Sequence, residues 1–307
     1  MALTNFPNGA SSFGMPLIGL TTGNVFFVHN ASGSNSNTGT DADNPFADID
    51  YAIGQCTASN GDIIFAMPGH YEAVIGASDI LFDVAGVTLI GLGSGTDMPQ
   101  IDYTLAAGEV HISATSVTIQ NINFHANVTD VLIGIETAAT ADNFTIRGCK
   151  FDVETTTTDE FTYCINIVAG CNFGLIEDCF FDMGLGGATG AIHLNGTSTD
   201  LTVLGNSIKG DYGTACIVGS TGASTNIDIG NNILVNGSGT NLNGEPCIEL
   251  NGNSTGSIWN NYVVCNVGTV AASIVSALSL LYENYYNEDI SSSGTGVVVG
   301  TASANDA

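Results

Sequence analysis

What this 307-residue chain has least of is positive charge: Lys and Arg total 3 against 30 Asp and Glu, for a formal net charge of −27. Charged residues are only 11% of the whole, so the imbalance comes from bases left out rather than acids added. Such a chain cannot neutralise a phosphate backbone, which excludes nucleic acid as a direct partner. Anionic membrane surfaces and polyanions repel it for the same reason. Long apolar runs are also missing. The longest, residues 270–282, is too short and too Ser-interrupted to span a bilayer, so no membrane insertion is expected. None of the 8 cysteines forms a Cys-x-x-Cys pair, which removes zinc-ribbon and thioredoxin-like readings. The opening residues, Met1 to Gly9, have neither a basic nor an apolar signal region. Synthesis without Sec export, with reduced thiols, is therefore expected.

What is present is apolar and periodic. Hydrophobic residues make up 44%, too many for a disordered acidic tail and enough for a sizeable core. Seven segments align without gaps, at 118–124, 145–151, 175–181, 202–208, 228–234, 257–263 and 280–286. A weaker copy starts at Val87. The lead aliphatic falls at 89, 119, 146, 176, 203, 229, 258 and 281, in steps of 30, 27, 30, 27, 26, 29 and 23 residues. Between copies lies a second apolar run, as in Cys164-Ile165-Asn166-Ile167 and Ala191-Ile192-His193-Leu194. Each unit thus holds two or three short strands, and no unit can bury its own apolar face without stacking on the next.

The aligned columns predict how the units stack. Three residues after the lead come Ile122, Cys149, Cys179, Asn206, Asn232, Asn261 and Asn284. Asn side chains superposed on rungs about 4.8 Å apart make a ladder of amides. Five after the lead come Phe124, Phe151, Phe181, Ile208, Leu234, Val263 and Tyr286, a core stack. Cys149 and Cys179 sit in the inward column, where small polarizable thiols suit narrow corners, so all cysteines are expected as packed thiols. Only a coil that returns to the same place on every turn puts these residues in register. The expected fold is all-β: a single right-handed parallel β-helix with a short N-terminal capping helix and an N-terminal docking arm.

The stretch from Asp41-Ala42-Asp43-Asn44-Pro45-Phe46 through Gly61-Asp62-Ile63-Ile64 to Pro68-Gly69-His70-Tyr71 resembles the start of right-handed β-helix proteins of the pectate-lyase-like superfamily. The resemblance spans about residues 24–290 and implies a short helix plugging the first coil. We place that helix at 45–56, capped by Asn44, with Phe46, Ile49 and Ile53 on one face. Residues 1–16 resemble the opening of tailed-phage virion structural proteins. That implies an attachment arm at 1–23, with Leu3, Phe6, Phe13 and Met15 as its contacts. The remaining boundaries are a lead-in and cap at 24–60, the β-helix at 61–290, and a strand at Val297–Val299 within a tail at 291–307.

The tools of β-helix enzymes are hard to find. The only Arg, Arg147, faces outward one rung from Glu177, where a lateral ion pair is expected, and His70 reads as a turn residue. One column offers low-odds catalytic candidates: His125, Asp152, Asp182 and Lys209, six after the lead. Stacked carboxylates about 5 Å apart approach the spacing of retaining glycosidases and could raise one pKa, but such side chains point the same way and leave no cleft. Outward aromatics fall on two lines, Trp259 with Tyr282, and Ile233 with Tyr262 and Tyr285. These are candidates for subunit or glycan contact.

The expected role is a non-enzymatic phage virion surface protein (a head decoration, head fibre or spike), assembled in host cytoplasm and bound to capsid or tail proteins. The expected assembly is a trimer without cofactor or bound catalytic metal, with structural divalent cations relieving repulsion between acidic subunits. The alternative is a glycan depolymerase or a glycan-binding tailspike contacting host-surface glycan.

Overall fold

The computed structural model describes residues 21, 23–154, 158–184, 187–219, 221–237, 245–265, 273–276 and 280–287, with the short strands Ser11–Ser12, Met15–Pro16 and Val298–Val299. Within these residues the chain winds as a right-handed parallel β-helix with three long sheets of 10, 10 and 8 strands. In the first sheet Leu89, Ile119, Ile146, Ile176, Val203, Ile229, Ile258 and Leu281 pair in one unbroken column. This is the register of the aligned repeats. Two rungs that the repeat alignment did not include precede it, led by Ile64 and Phe26. The second apolar run of each unit forms the third sheet, where Ile135, Ile165, Ile192, Ile217 and Ile248 pair in sequence.

Each of the seven aligned rungs turns from the first sheet to the second through one left-handed residue. Asn121, Asp178, Asn231, Asn260 and Glu283 hold it at φ near +48 to +56°, and Gly148 and Gly205 take the same place at +57° and +65°. Asn, Asp and Gly tolerate this region best, which explains their recurrence two residues after the lead. The bend turns the next residue inward. There Asn206, Asn232 and Asn261 each donate to the next Asn carbonyl oxygen, at 3.0, 2.9 and 2.9 Å. Each of these amides also donates to the carbonyl of the lead residue one rung back, at 2.9–3.0 Å, as does Asn284. Cys149 and Cys179 point their thiols at the same kind of acceptor, the carbonyls of Ile119 and Ile146. Beside this corner the rings of Phe124, Phe151 and Phe181 stack at 4.8 and 4.7 Å. All 8 cysteines are free thiols, and all but Cys56 are buried.

The N-terminal helix is shorter than expected, Ile49–Ile53 rather than 45–56. Asn44 is not its cap: Asn44 lies in a turn bonded to Gly39 and Asp41, and Asp48 occupies the cap position. The Glu72 carboxylate accepts the Ile49 N–H at 2.8 Å, doing from outside what a capping side chain would do. Phe46, Ile49 and Ile53 are buried as expected and close the end of the core. Asp62, fully buried, accepts backbone N–H bonds from Asn24 and Thr57 and the Asn60 amide. Burial alone would raise this carboxyl, yet those bonds outweigh it and hold it below the usual range. His70 is more than a turn residue: it accepts from the Asn30 N–H and faces Glu72 at 3.1 Å, bracing the first rung. At the far end Val298–Val299 pairs antiparallel with Tyr285 and Tyr286. No helix of the described residues is long and apolar enough to cross a membrane.

Candidate functional site

Strand alternation gives each sheet an outer face, and two of these faces carry chemistry. On the second sheet, Asp102, His125 and Asp152 pair side by side on consecutive rungs. Asp102 is nearly fully buried by the Tyr71 hydroxyl, the Gln100 amide and the Asn127 amide, all of which donate to it. His125 Nδ1 lies 2.7 Å from Asp152, and its Nε2 lies 3.2 Å from Glu154. Lys150 also pairs with Asp152. Burial would raise the Asp152 carboxyl, but the bonds from His125 and Lys150 outweigh it and hold it below the ordinary range. The bond to Asp152, working against burial, raises His125. The expectation of an elevated pKa from stacked like charges therefore fails at Asp152, because His125 and Lys150 both bond to its carboxylate. Asp182 pairs by register with exposed Lys209 and accepts from the Gly184 N–H at 3.3 Å. Of the four candidates, which share a face, His125 and Asp152 form a hydrogen-bonded pair that Lys150 also joins, while Asp182 and Lys209 are neighbours by register only. Arg147 pairs with Glu177.

Farther along the same face the character changes. Phe180, Ser207, Ile233, Tyr262 and Tyr285 pair in one column. Phe180, Ile233, Tyr262 and Tyr285 are 41, 52, 45 and 38% exposed. Trp259, by contrast, is half-buried on the first sheet. Its indole donates to Asp228 at 2.6 Å and lies so close over Gly230 that a Cβ there would be 2.4 Å away. Tyr282 pairs with Trp259 by register, and its side chain lies outside the described residues. So do the side chains of Leu3, Phe6, Phe13 and Met15.

The third sheet carries an outer line that reading the sequence missed: His111, Glu136, Asn166 and His193 on consecutive rungs. His111 Nδ1 lies 2.7 Å from Glu109 and 3.8 Å from Glu136, and the Asn166 amide donates to Glu136 at 2.7 Å. The bond to Glu109, against burial, raises His111, whereas burial lowers His193. Tyr163 stacks on His193 at 4.2 Å. Asn166 Oδ1 and His193 Nδ1 are buried and lack a hydrogen-bond partner. The signal was available: in each apolar run, the residue after the Ile that packs inward is polar in Cys-Ile-Asn-Ile and Ala-Ile-His-Leu. Aligning those runs as the lead segments were aligned would have produced the line.

Residues 31–277 match the family described as "Protein of unknown function (DUF1565)". No curated protein matches the chain. Among solved structures it is similar to a rhamnogalacturonan lyase, at a TM-score of 0.55 and 12% identity over 87% of this chain and 69% of that one. It is also similar to pectate lyase Pel9A, at a TM-score of 0.58 and 12% identity over 90% and 74%. At such identity the likeness is one of fold.

Proposed function

The chain belongs to the family described as protein of unknown function (DUF1565), and from that premise we propose that it is a non-enzymatic structural β-helix of a virion surface, working as a homotrimer. One observation carries the reading: the exposed column of Phe180, Ile233, Tyr262 and Tyr285 on the second sheet. From Ser207 to Tyr285 neither this column nor the neighbouring Lys209, Val235 and Val264 holds an acid. Copies at −27 repel one another, so they meet with least cost where acid is missing. Tyrosine also suits a contact, since it buries a large rigid ring at small entropy cost and keeps its hydroxyl for water. The virion setting is supported by the resemblance of residues 1–16, which would attach the trimer to capsid or tail.

Sedimentation velocity on the purified chain tests the assembly: a trimer is expected, and Ile233→Glu with Tyr262→Glu should give folded monomers. A monomeric wild type would overturn the contact. Counting this chain in purified particles by mass spectrometry, using an acid-specific protease because trypsin can cut only after Arg147, Lys150 and Lys209, tests the setting. Its absence from particles would remove the virion reading.

A glycan-binding or glycan-cleaving role is the second reading, favoured by the unpartnered Asn166 and His193 atoms beside the Tyr163 ring. The net charge restricts it to neutral polysaccharides. Loss of glycan binding in Tyr163→Ala would support it.

A further inference from the structure

We propose that Glu109, His111 and Glu136, with the amide oxygen of Asn166, form a divalent-cation site of zinc-like preference on the outer face of the third sheet. The ligand atoms of the first three all lie within 4.8 Å of one another, and the three side chains are half-buried. A tetrahedral zinc site needs nitrogen and oxygen ligands about 2.0–2.2 Å from the ion, hence about 3.3 Å from each other. The present separations of 2.7 Å (His111 to Glu109) and 3.8 Å (His111 to Glu136) straddle that value, so small side-chain rotations suffice. The fourth group is the independent observation. Asn166 is 3% exposed, its amide nitrogen is tied to Glu136, and its Oδ1 has no partner. A buried oxygen without a donor is costly, and a cation is one way to satisfy it.

The residue types set the preference. Imidazole with carboxylates suits zinc and its transition-metal neighbours, whereas calcium and magnesium take oxygen ligands alone. Two carboxylates balance the ion's charge, and the imidazole of His111 would bind it in the neutral form. The comparable cluster around His125 does not qualify, because the Lys150 ammonium already holds Asp152. Bound metal would tie three consecutive rungs together through side chains on their outer face.

The test is isothermal titration of the full chain with zinc after chelator stripping, in millimolar magnesium to saturate diffuse acidic sites. One ion per chain with a micromolar or tighter Kd is expected. His111→Asn and Glu136→Gln should each weaken it at least tenfold, and His125→Asn should leave it unchanged. Cobalt should give visible d–d bands that vanish in His111→Asn, with far-UV circular dichroism confirming that the variant is folded. Equal zinc affinity in His111→Asn, or binding that magnesium abolishes in the wild type, would overturn the site.

Discussion

Up to Phe181 the interior corner of the coil is apolar or thiol-lined and the outer face of the second sheet is largely polar; beyond it the two exchange characters. In the N-terminal half Ile122, Cys149 and Cys179 fill the corner beside stacked Phe rings, while Asp102, His125 and Asp152 face outward. In the C-terminal half a buried run of Asn amides takes the corner, the core beside it becomes Ile208, Leu234 and Val263, and Ile233, Tyr262 and Tyr285 face outward. The backbone register runs unchanged through both. A coil held by continuous strand pairing sets inside and outside independently, so long as each inward polar atom finds a partner on the next rung.

The largest effect should come from breaking the apolar half. Phe151 packs face to face with both Phe124 and Phe181. Phe151→Ala removes a fully buried ring between two others and should cost about 3–5 kcal/mol, measured by urea unfolding. The matching cut in the polar half is Asn232→Ala. It removes the donor to Val203 and to Asn261 and the acceptor used by Asn206, at a cost of about 2–4 kcal/mol. Asn232→Cys sharpens the contrast. A thiol already serves the equivalent carbonyl at positions 149 and 179, so this variant should lose less than the alanine. If cysteine proves as costly as alanine, the two kinds of corner are not interchangeable.

The coil, its register and the Asn ladder were legible because a solenoid repeats one solution and writes it into columns; Ile119 to Leu281 could be aligned by eye and pair as aligned. The helix start was not legible. Asn44-Pro45 is a proper local signal, but Glu72 supplies the cap from a strand 23 positions away. The outer polar line of the third sheet was half-legible. Its Asn and His were in view, but loops of unequal length between rungs hid their alignment. The state of Asp152 was out of reach, since it depends on Lys150 and His125 arriving at opposite edges of one carboxylate.

Glu160 gives the N-terminal half a pH signature. The residue is 7% exposed and its carboxyl is pushed up to about 7, by burial first and then by the neighbouring Asp130. The folded pKa exceeds the ordinary 4.5, so the stability tied to the protonated carboxyl is full below about pH 4.5 and is lost as pH rises through 7. Glu160→Gln should keep the neutral form at every pH. It should raise stability at pH 8 by on the order of 1–2 kcal/mol and have no effect at pH 4. Thermal melts at the two pH values read this, and equal shifts at both would deny the raised Glu160 pKa.

The smallest expected effect lies in the His125–Asp152 pair. His125 has a folded pKa above the ordinary 6.5, so its contribution is present below that pH and is lost as pH rises through the folded value. Asp152 has a folded pKa below the ordinary 3.8, so its contribution is present above that pH and is lost as pH falls through the folded value. The two overlap between about pH 4 and 6.5. There, a double-mutant cycle of His125→Asn and Asp152→Asn should give a coupling of about 0.5–1 kcal/mol, modest because the pair is partly solvated and Lys150 remains. The coupling should shrink as pH rises through the folded pKa of His125. A coupling that stays constant to pH 9 would make the pair a neutral hydrogen bond, and the outer face of the N-terminal half would then be polar without being ionic.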